Sequence, residues 1–140
     1  MPRRMKAAVL RAYNQPLTIE AVTIEEPKAG EVMIRQAACG ICHSDVNVVL
    51  GHEQWTLPVI LGHESAGYVE AVGAGVTHVK PGDRVAASLL RSCGRCFYCA
   101  SGRPSLCDTP HPLDSETRHH DADGKPITLG MRMAGWAEYA

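Results

Sequence analysis

Residues 61–88 read LGHESAGYVEAVGAGVTHVKPGDRVAAS, and this run decides the fold class. Ser65–Val72 alternates apolar with small or polar residues, the period expected of a strand. Lys80-Pro81-Gly82-Asp83 reads as a turn, in which proline presets φ and glycine accepts a positive one. Arg84–Ser88 then resumes as a strand. Working outward, Met5–Leu10 and Leu17–Val22 are short strands separated by Asn14 and Pro16, and Glu31–Ala38 is a third after Pro27 and Gly30. Cys42–Leu50 reads as a short helix, started by Ser44 or Asp45 and ended by Gly51. Ser92–Cys107 has little periodicity, Asp108–Lys125 is polar and reads as a loop or mobile insertion, and Gly135–Tyr139 reads as a last strand. Many short strands with Gly/Pro turns predict a mainly β protein, a barrel or a sandwich.

The chain has 140 residues, 14 Lys+Arg against 15 Asp+Glu, and a net charge of −1. That length suits one domain, residues 1–140, and leaves no room for a separate nucleotide-binding domain. Without a basic excess, nucleic acid is excluded as a partner. The apolar runs, such as Ala7–Leu10 and Val48–Leu50, fall far short of the roughly 18 residues that span a bilayer. The basic start (Arg3, Arg4, Lys6) lacks the longer apolar stretch of a signal peptide, so the expected location is cytoplasmic.

Six cysteines and seven histidines stand out beside few aromatics. A chain of this size does not need disulfide staples, and metal binding is the better reading. Cys93-x2-Cys96-x2-Cys99-x7-Cys107 gives four thiols on short spacers, the donor set of a structural tetrahedral zinc, with two disulfides as the competing account. Gly94 and Gly102 permit the turns, and Arg91, Arg95 and Arg103 supply positive charge in a segment without acidic residues. Such cations would stabilise thiolates.

A second cluster comprises Cys39-Gly-Ile-Cys42-His43-Ser44-Asp45 and Gly62-His63-Glu64. Three chemistries compete for it. C-x-x-C-H is a haem-attachment pattern, which requires an exported chain and a helical scaffold; C-x-x-C is also a redox couple, which belongs in a βαβ setting. The third is a zinc held by Cys42 and His63, with an open coordination position and Asp45 fixing the histidine tautomer. Zinc is favoured because the surrounding chain meets neither of the other requirements.

Taken together, Gly40-Ile-Cys42-His-Ser-Asp45, Leu61-Gly-His63-Glu64-x-x-Gly67, Val69-Glu-x-Val-Gly73, Val79-Lys-Pro-Gly-Asp83-Arg-Val85, the four-cysteine lobe and Gly135-Trp-Ala-Glu-Tyr139 resemble a known pattern. It is that of the N-terminal, GroES-like catalytic domain of zinc-dependent alcohol dehydrogenases in the medium-chain dehydrogenase/reductase superfamily. The resemblance implies a partly open β-barrel with short helices and a zinc-binding lobe at about 91–108. It implies one structural zinc on Cys93, Cys96, Cys99 and Cys107, and one catalytic zinc on Cys42 and His63 with Glu64 as an exchangeable ligand. By the same resemblance Asp45 would hydrogen-bond His63, Ser44 would receive the substrate proton, His43 would contact the cofactor pyrophosphate, and Trp55 would line the substrate channel or simply pack.

The chain also departs from the pattern. Asn47 stands where many relatives continue the proton relay with a histidine, and His52 is a candidate replacement. His119, His120, Asp121 and Asp123 read as a solvated loop, with a weak metal site as the lesser alternative. Gly73-Ala-Gly75 does not continue into G-x-G-x-x-G, so the Rossmann domain and the usual third catalytic ligand are expected outside this sequence. The expected function is the catalytic portion of an NAD(P)-linked alcohol dehydrogenase acting on a small alcohol or carbonyl, inactive alone, with a homo-oligomer left open. The competing class is a stand-alone zinc-binding or thiol redox-sensing module.

Overall fold

The first strand, β1 (Arg3–Leu10), buries Met5, Ala7 and Val9 on alternate positions, and β2 (Thr18–Ile24) answers with buried Val22 and Ile24. The two pair antiparallel with Met5 opposite Val22 and Val9 opposite Thr18. The computed structural model describes residues 2–140. After β3 (Val32–Gly40) and the helix α1 (His43–Val49) come β4 (Val59–Ile60), β5 (Glu64–Val72) and β6 (Arg84–Ala86). The chain then forms a single turn of helix, α2 (Phe97–Ala100), followed by β7 (His119–His120) and β8 (Pro126–Leu129). No described helix is long and apolar enough to cross a membrane.

Five strands close into a barrel in the order β1-β2-β7-β8-β4, with β4 antiparallel to β1 and parallel to β8. An open three-stranded sheet, β3-β5-β6, stands beside it. The mainly β class and the barrel agree with the sequence reading. At the predicted turn, the Asp83 N–H donates to the Lys80 carbonyl at 3.1 Å while Gly82 takes φ +92°. The glycine is required there, because a side chain is strained at that angle.

Residues 136–140 join the two sheets. On one side the Ala8 N–H donates to the Trp136 carbonyl and the Glu138 N–H to the Lys6 carbonyl, at 2.8 and 3.0 Å. On the other, Ile34 and Ala140 exchange both backbone hydrogen bonds and the Gln36 N–H donates to Glu138. The expected last strand is therefore a backbone splice between barrel and sheet, seen as bridges Ala7–Ala137 and Arg35–Tyr139.

The polar stretch 108–125 corrects the sequence reading. It is not a mobile insertion, because it supplies β7 to the barrel and carries buried Arg118, His119 and Asp121. Polar residues are stable there because they are paired. Arg118 makes a fork to Glu31 at 2.6 and 2.9 Å, and Asp121 accepts the backbone N–H groups of Asp123 and Lys125. α1 also starts earlier than expected, with Cys42 as the N-cap rather than Ser44 or Asp45. Asp45 turns its carboxylate back to the Cys42 N–H at 3.3 Å.

His119 is 1% exposed, with Nε2 3.4 Å from the Tyr139 carbonyl and Nδ1 without a protein partner. Burial pushes its pKa from 6.5 down to about 4. Between these values an unfolded chain binds the proton and the folded one does not, so stability falls as pH drops through that window. The loss at the acid end is expected to approach about 3 kcal/mol. Urea unfolding at pH 7 and pH 4.5 checks this: His119→Phe should lose less stability on acidification than the parent, and equal losses would contradict it.

Candidate metal centres

The four-cysteine lobe leaves the open sheet after β6. Its chain buries almost no apolar surface, and hydrogen bonds to sulfur run through it. The Cys96 and Arg95 N–H groups donate to Cys93 Sγ at 3.2 and 3.4 Å, and the Cys99 N–H donates to Cys96 Sγ at 3.5 Å, which caps α2. All six thiols of the chain are free, and the four lobe sulfurs lie within 4.8 Å of one another. Cys96 and Cys107 Sγ are 4.0 Å apart. Four thiolates at about 2.3 Å from a tetrahedral zinc sit roughly 3.8 Å apart, so the donor set fits that ion.

The sources of thiolate stabilisation differ from the sequence reading. The Thr109 hydroxyl, followed by the Arg95 and Cys96 N–H groups, brings Cys93 down to about 6. The Thr109 N–H lowers Cys107, whereas burial pushes Cys99 up to about 11. Arg91 does not face the sulfurs; its guanidinium pairs with Asp114 at 2.7 Å. At Cys93 and Cys107 the dipoles of nearby N–H and O–H groups, rather than arginine charge, lower the pKa.

The second centre is built by the β3–β5 ladder. Gly40, at the end of β3, pairs with Glu64, at the start of β5, so the residues just beyond each strand meet. Cys42, His63 and Glu64 then present ligand atoms within 4.8 Å of one another. Beneath them lies Asp45, 0% exposed. Its carboxylate accepts the Cys42 N–H at 3.3 Å and the Gly62 N–H at 3.1 Å, and sits 3.2 Å from His63 Nδ1. One buried carboxylate thus ties both ligand loops and holds the imidazole with Nε2 outward.

Ser44 Oγ lies 3.4 Å from that Nε2. Hydrogen bonds from Ser44 favour the Cys42 thiolate and lower its pKa, with His63 adding to the effect. For His63 itself, burial opposes protonation, but the Asp45 charge and Cys42 outweigh it and raise the pKa. A thiolate, an imidazole and a carboxylate over a buried acid form a donor set suited to zinc with room for a further ligand.

Other expected residues are placed as follows. His43 opens α1 and is exposed, and His52 is exposed after the helix, its N–H donating to the Asn47 carbonyl. Cys39 stands outside the Cys42 group, its thiol 3.7 Å from Ser65 Oγ. Trp55 packs with Leu10, Val48, Val59 and Leu61 and exchanges hydrogen bonds with the Tyr13 hydroxyl. The cavity it borders, of about 660 Å³, is lined by Leu113, Glu116 and Thr128 and not by Cys42 or His63. Among the described residues, His119, His120, Asp121 and Asp123 form no group of three or more close metal-ligating atoms.

Sequence reasoning gave no role to Trp136. Its indole N–H donates to the Gly40 carbonyl at 3.3 Å and its backbone N–H to Leu61 at 2.9 Å, while Gly135 N–H donates to Gly62. Gly62, at φ +92°, lies so close to the indole that a Cβ would collide with it. Trp136 therefore braces both ligand loops at once. The sequence signal was its place in the Gly135-Trp-Ala-Glu-Tyr139 motif, which carried no role for the side chain.

Comparison with known proteins is consistent across three lines. Residues 28–140 match the model of the alcohol dehydrogenase GroES-like domain. The chain is 39% identical, over 98% of its length, to S-(hydroxymethyl)glutathione dehydrogenase of Haemophilus influenzae, and 47% identical over 105 residues, 75% of the chain, to NDMA-dependent alcohol dehydrogenase of Amycolatopsis methanolica. It covers 38% and 28% of those proteins. The crystal structure of an alcohol dehydrogenase zinc-binding domain protein from Burkholderia ambifaria superposes over 100% of this chain and 40% of its own, with a TM-score of 0.87 and 36% identity. The chain thus spans well under half the length of these relatives.

Proposed function

This chain belongs to the alcohol dehydrogenase GroES-like domain family, and from that premise we propose that it is the catalytic-domain portion of a zinc-dependent, NAD(P)-linked alcohol dehydrogenase. The substrate is a primary or secondary alcohol or, in reverse, the carbonyl. The observation that carries the reading is the meeting of Cys42, His63 and Glu64 above buried Asp45, apart from a complete four-thiol lobe. When bound, zinc at the Cys42–His63 centre would supply Lewis acidity, and the nicotinamide would accept hydride.

The chain's own residues divide the remaining work. Cys42 and His63 would hold the catalytic metal, Glu64 would be an exchangeable ligand, and Asp45 keeps the His63 proton on Nδ1 so that Nε2 offers its lone pair. Ser44 Oγ, beside Nε2, is the group placed to take the substrate hydroxyl proton. His43, exposed at the start of α1, is assigned to the cofactor phosphates. Cys93, Cys96, Cys99 and Cys107 hold the structural metal. Residues 1–140 act as one domain, and the Rossmann domain and third metal ligand are assigned to sequence outside this chain. Free thiols this close together suit a reducing cytoplasm.

Metal analysis tests both centres. The purified 140-residue chain should carry two zinc ions, and a Cys42→Ser, His63→Ala double variant should carry one. A parent chain with one zinc, unchanged by those substitutions, would remove the catalytic centre. Assayed alone with NAD(P) and simple alcohols, the chain should show no steady turnover; robust turnover would overturn the division of labour.

A further inference from the structure

We propose that Thr109 is a positioning residue of the four-cysteine centre, its hydroxyl clamping Cys93 from the far side of the lobe. The inference rests on the reading of that lobe as a zinc site. Thr109 Oγ1 donates to Cys93 Sγ at 3.1 Å, across a sequence separation of 16 residues. The two other donors to this sulfur, the Cys96 and Arg95 N–H groups at 3.2 and 3.4 Å, belong to the C-x-x-C turn itself. They arise wherever that turn forms and say nothing about how the lobe closes. The Thr109 hydroxyl is different, because it reaches the first ligand from just beyond the last one, Cys107.

Closure is the difficult step for a site on one flexible segment. The lobe has no fully buried residue in α2 or in the 3-10 turn Pro104–Leu106, so packing does not hold its two ends together. Cys93 enters before α2 and Cys107 leaves after Pro104–Leu106. A hydrogen bond from residue 109 to Cys93 fixes the separation of those ends with or without the ion. Threonine suits the task, since its branched Cβ leaves few rotamers for the hydroxyl. Pro110, next in the chain, limits the backbone on the same side. Hydrogen bonds to a ligand from beyond the coordination sphere orient it and typically change metal affinity by roughly 10–100-fold.

The test compares Thr109→Val, which keeps the shape and removes the hydroxyl, with Thr109→Ser, which keeps the hydroxyl. Zinc affinity of the lobe is read in the full chain by competition with a chromophoric chelator, and the sulfur-to-cobalt charge-transfer band is read after Co2+ substitution. Thr109→Val should bind zinc about tenfold more weakly and shift the band. Thr109→Ser should restore both, and the far-UV circular dichroism of the barrel should be unchanged in either variant. Parent-like affinity and spectrum in Thr109→Val would overturn the proposal, as would equal impairment in Thr109→Ser or loss of the β signal. A parent chain with no lobe zinc at all would overturn the zinc reading itself, an outcome visible before any variant is made.

Discussion

Replacing Cys107 by serine is expected to empty the lobe of metal and release residues 91–108, while the barrel stays folded. No residue from Arg91 to Cys107 is fully buried, and the large apolar side chains Phe97 and Leu106 are exposed. Such a segment cannot offset the entropy of ordering its backbone, about 1–2 kcal/mol per residue, by burial. Zinc binding contributes on the order of 10–16 kcal/mol in small peptides, enough to order the loop. Three thiolates without the fourth lose that closed shell. Zinc stoichiometry should fall from two to one, and limited proteolysis should begin to cut within 91–108. A metal-free lobe that resists protease as the parent does would contradict this account.

Arg118→Ala should cost the fold about 3–5 kcal/mol, read by urea unfolding at pH 7. Arg118 and Glu31 are 5% and 6% exposed and meet through two hydrogen bonds along one guanidinium edge, from Nε and Nη2. Truncating the arginine leaves the Glu31 carboxylate buried, with the Lys28 N–H donating to it at 3.0 Å. Glu31→Ala should cost less, because Arg118 keeps Glu116 at 2.9 Å. The joint replacement of both by apolar residues should recover much of the loss, since it removes the buried charge altogether. Equal stability of Arg118→Ala and the parent would show that the pair is solvated despite its burial.

These two sites also mark how far the sequence could be read. β1, β2, β3 and β5 follow from alternation, and β6, only three residues long, from the Lys80–Asp83 turn just before it. β4, β7 and β8 do not, because two to four residues give no period, and β7 is two histidines. Arg118, His119 and Asp121 made their segment look solvated; partners as distant as Glu31, 87 residues away, allow it to be buried. The two groups of candidate metal donors were legible because coordination demands particular side chains at short spacing, and the fold brings their ligand atoms together. The contacts of Trp136 and Thr109 were not, since each joins its residue to a partner distant in sequence, and such a contact leaves no local pattern. The N-cap was misplaced for a similar reason: Asp45 serves Cys42, Gly62 and His63 together, and no helix rule anticipates the last two.

The splice at residues 136–140 bears on how the molecule is made as well as how it stands. Glu138 lies 132 residues from Lys6, whose edge it covers. At roughly 5–20 residues per second of synthesis, that edge of β1 waits on the order of 10 s on the ribosome before its partner exists. Until then the Lys6–Ala8 backbone is an open template for any passing strand. Of the two strands that residues 136–140 splice, β1 waits longer for its partner, and Lys6, a charged residue on that exposed rim, is well placed to discourage mispairing.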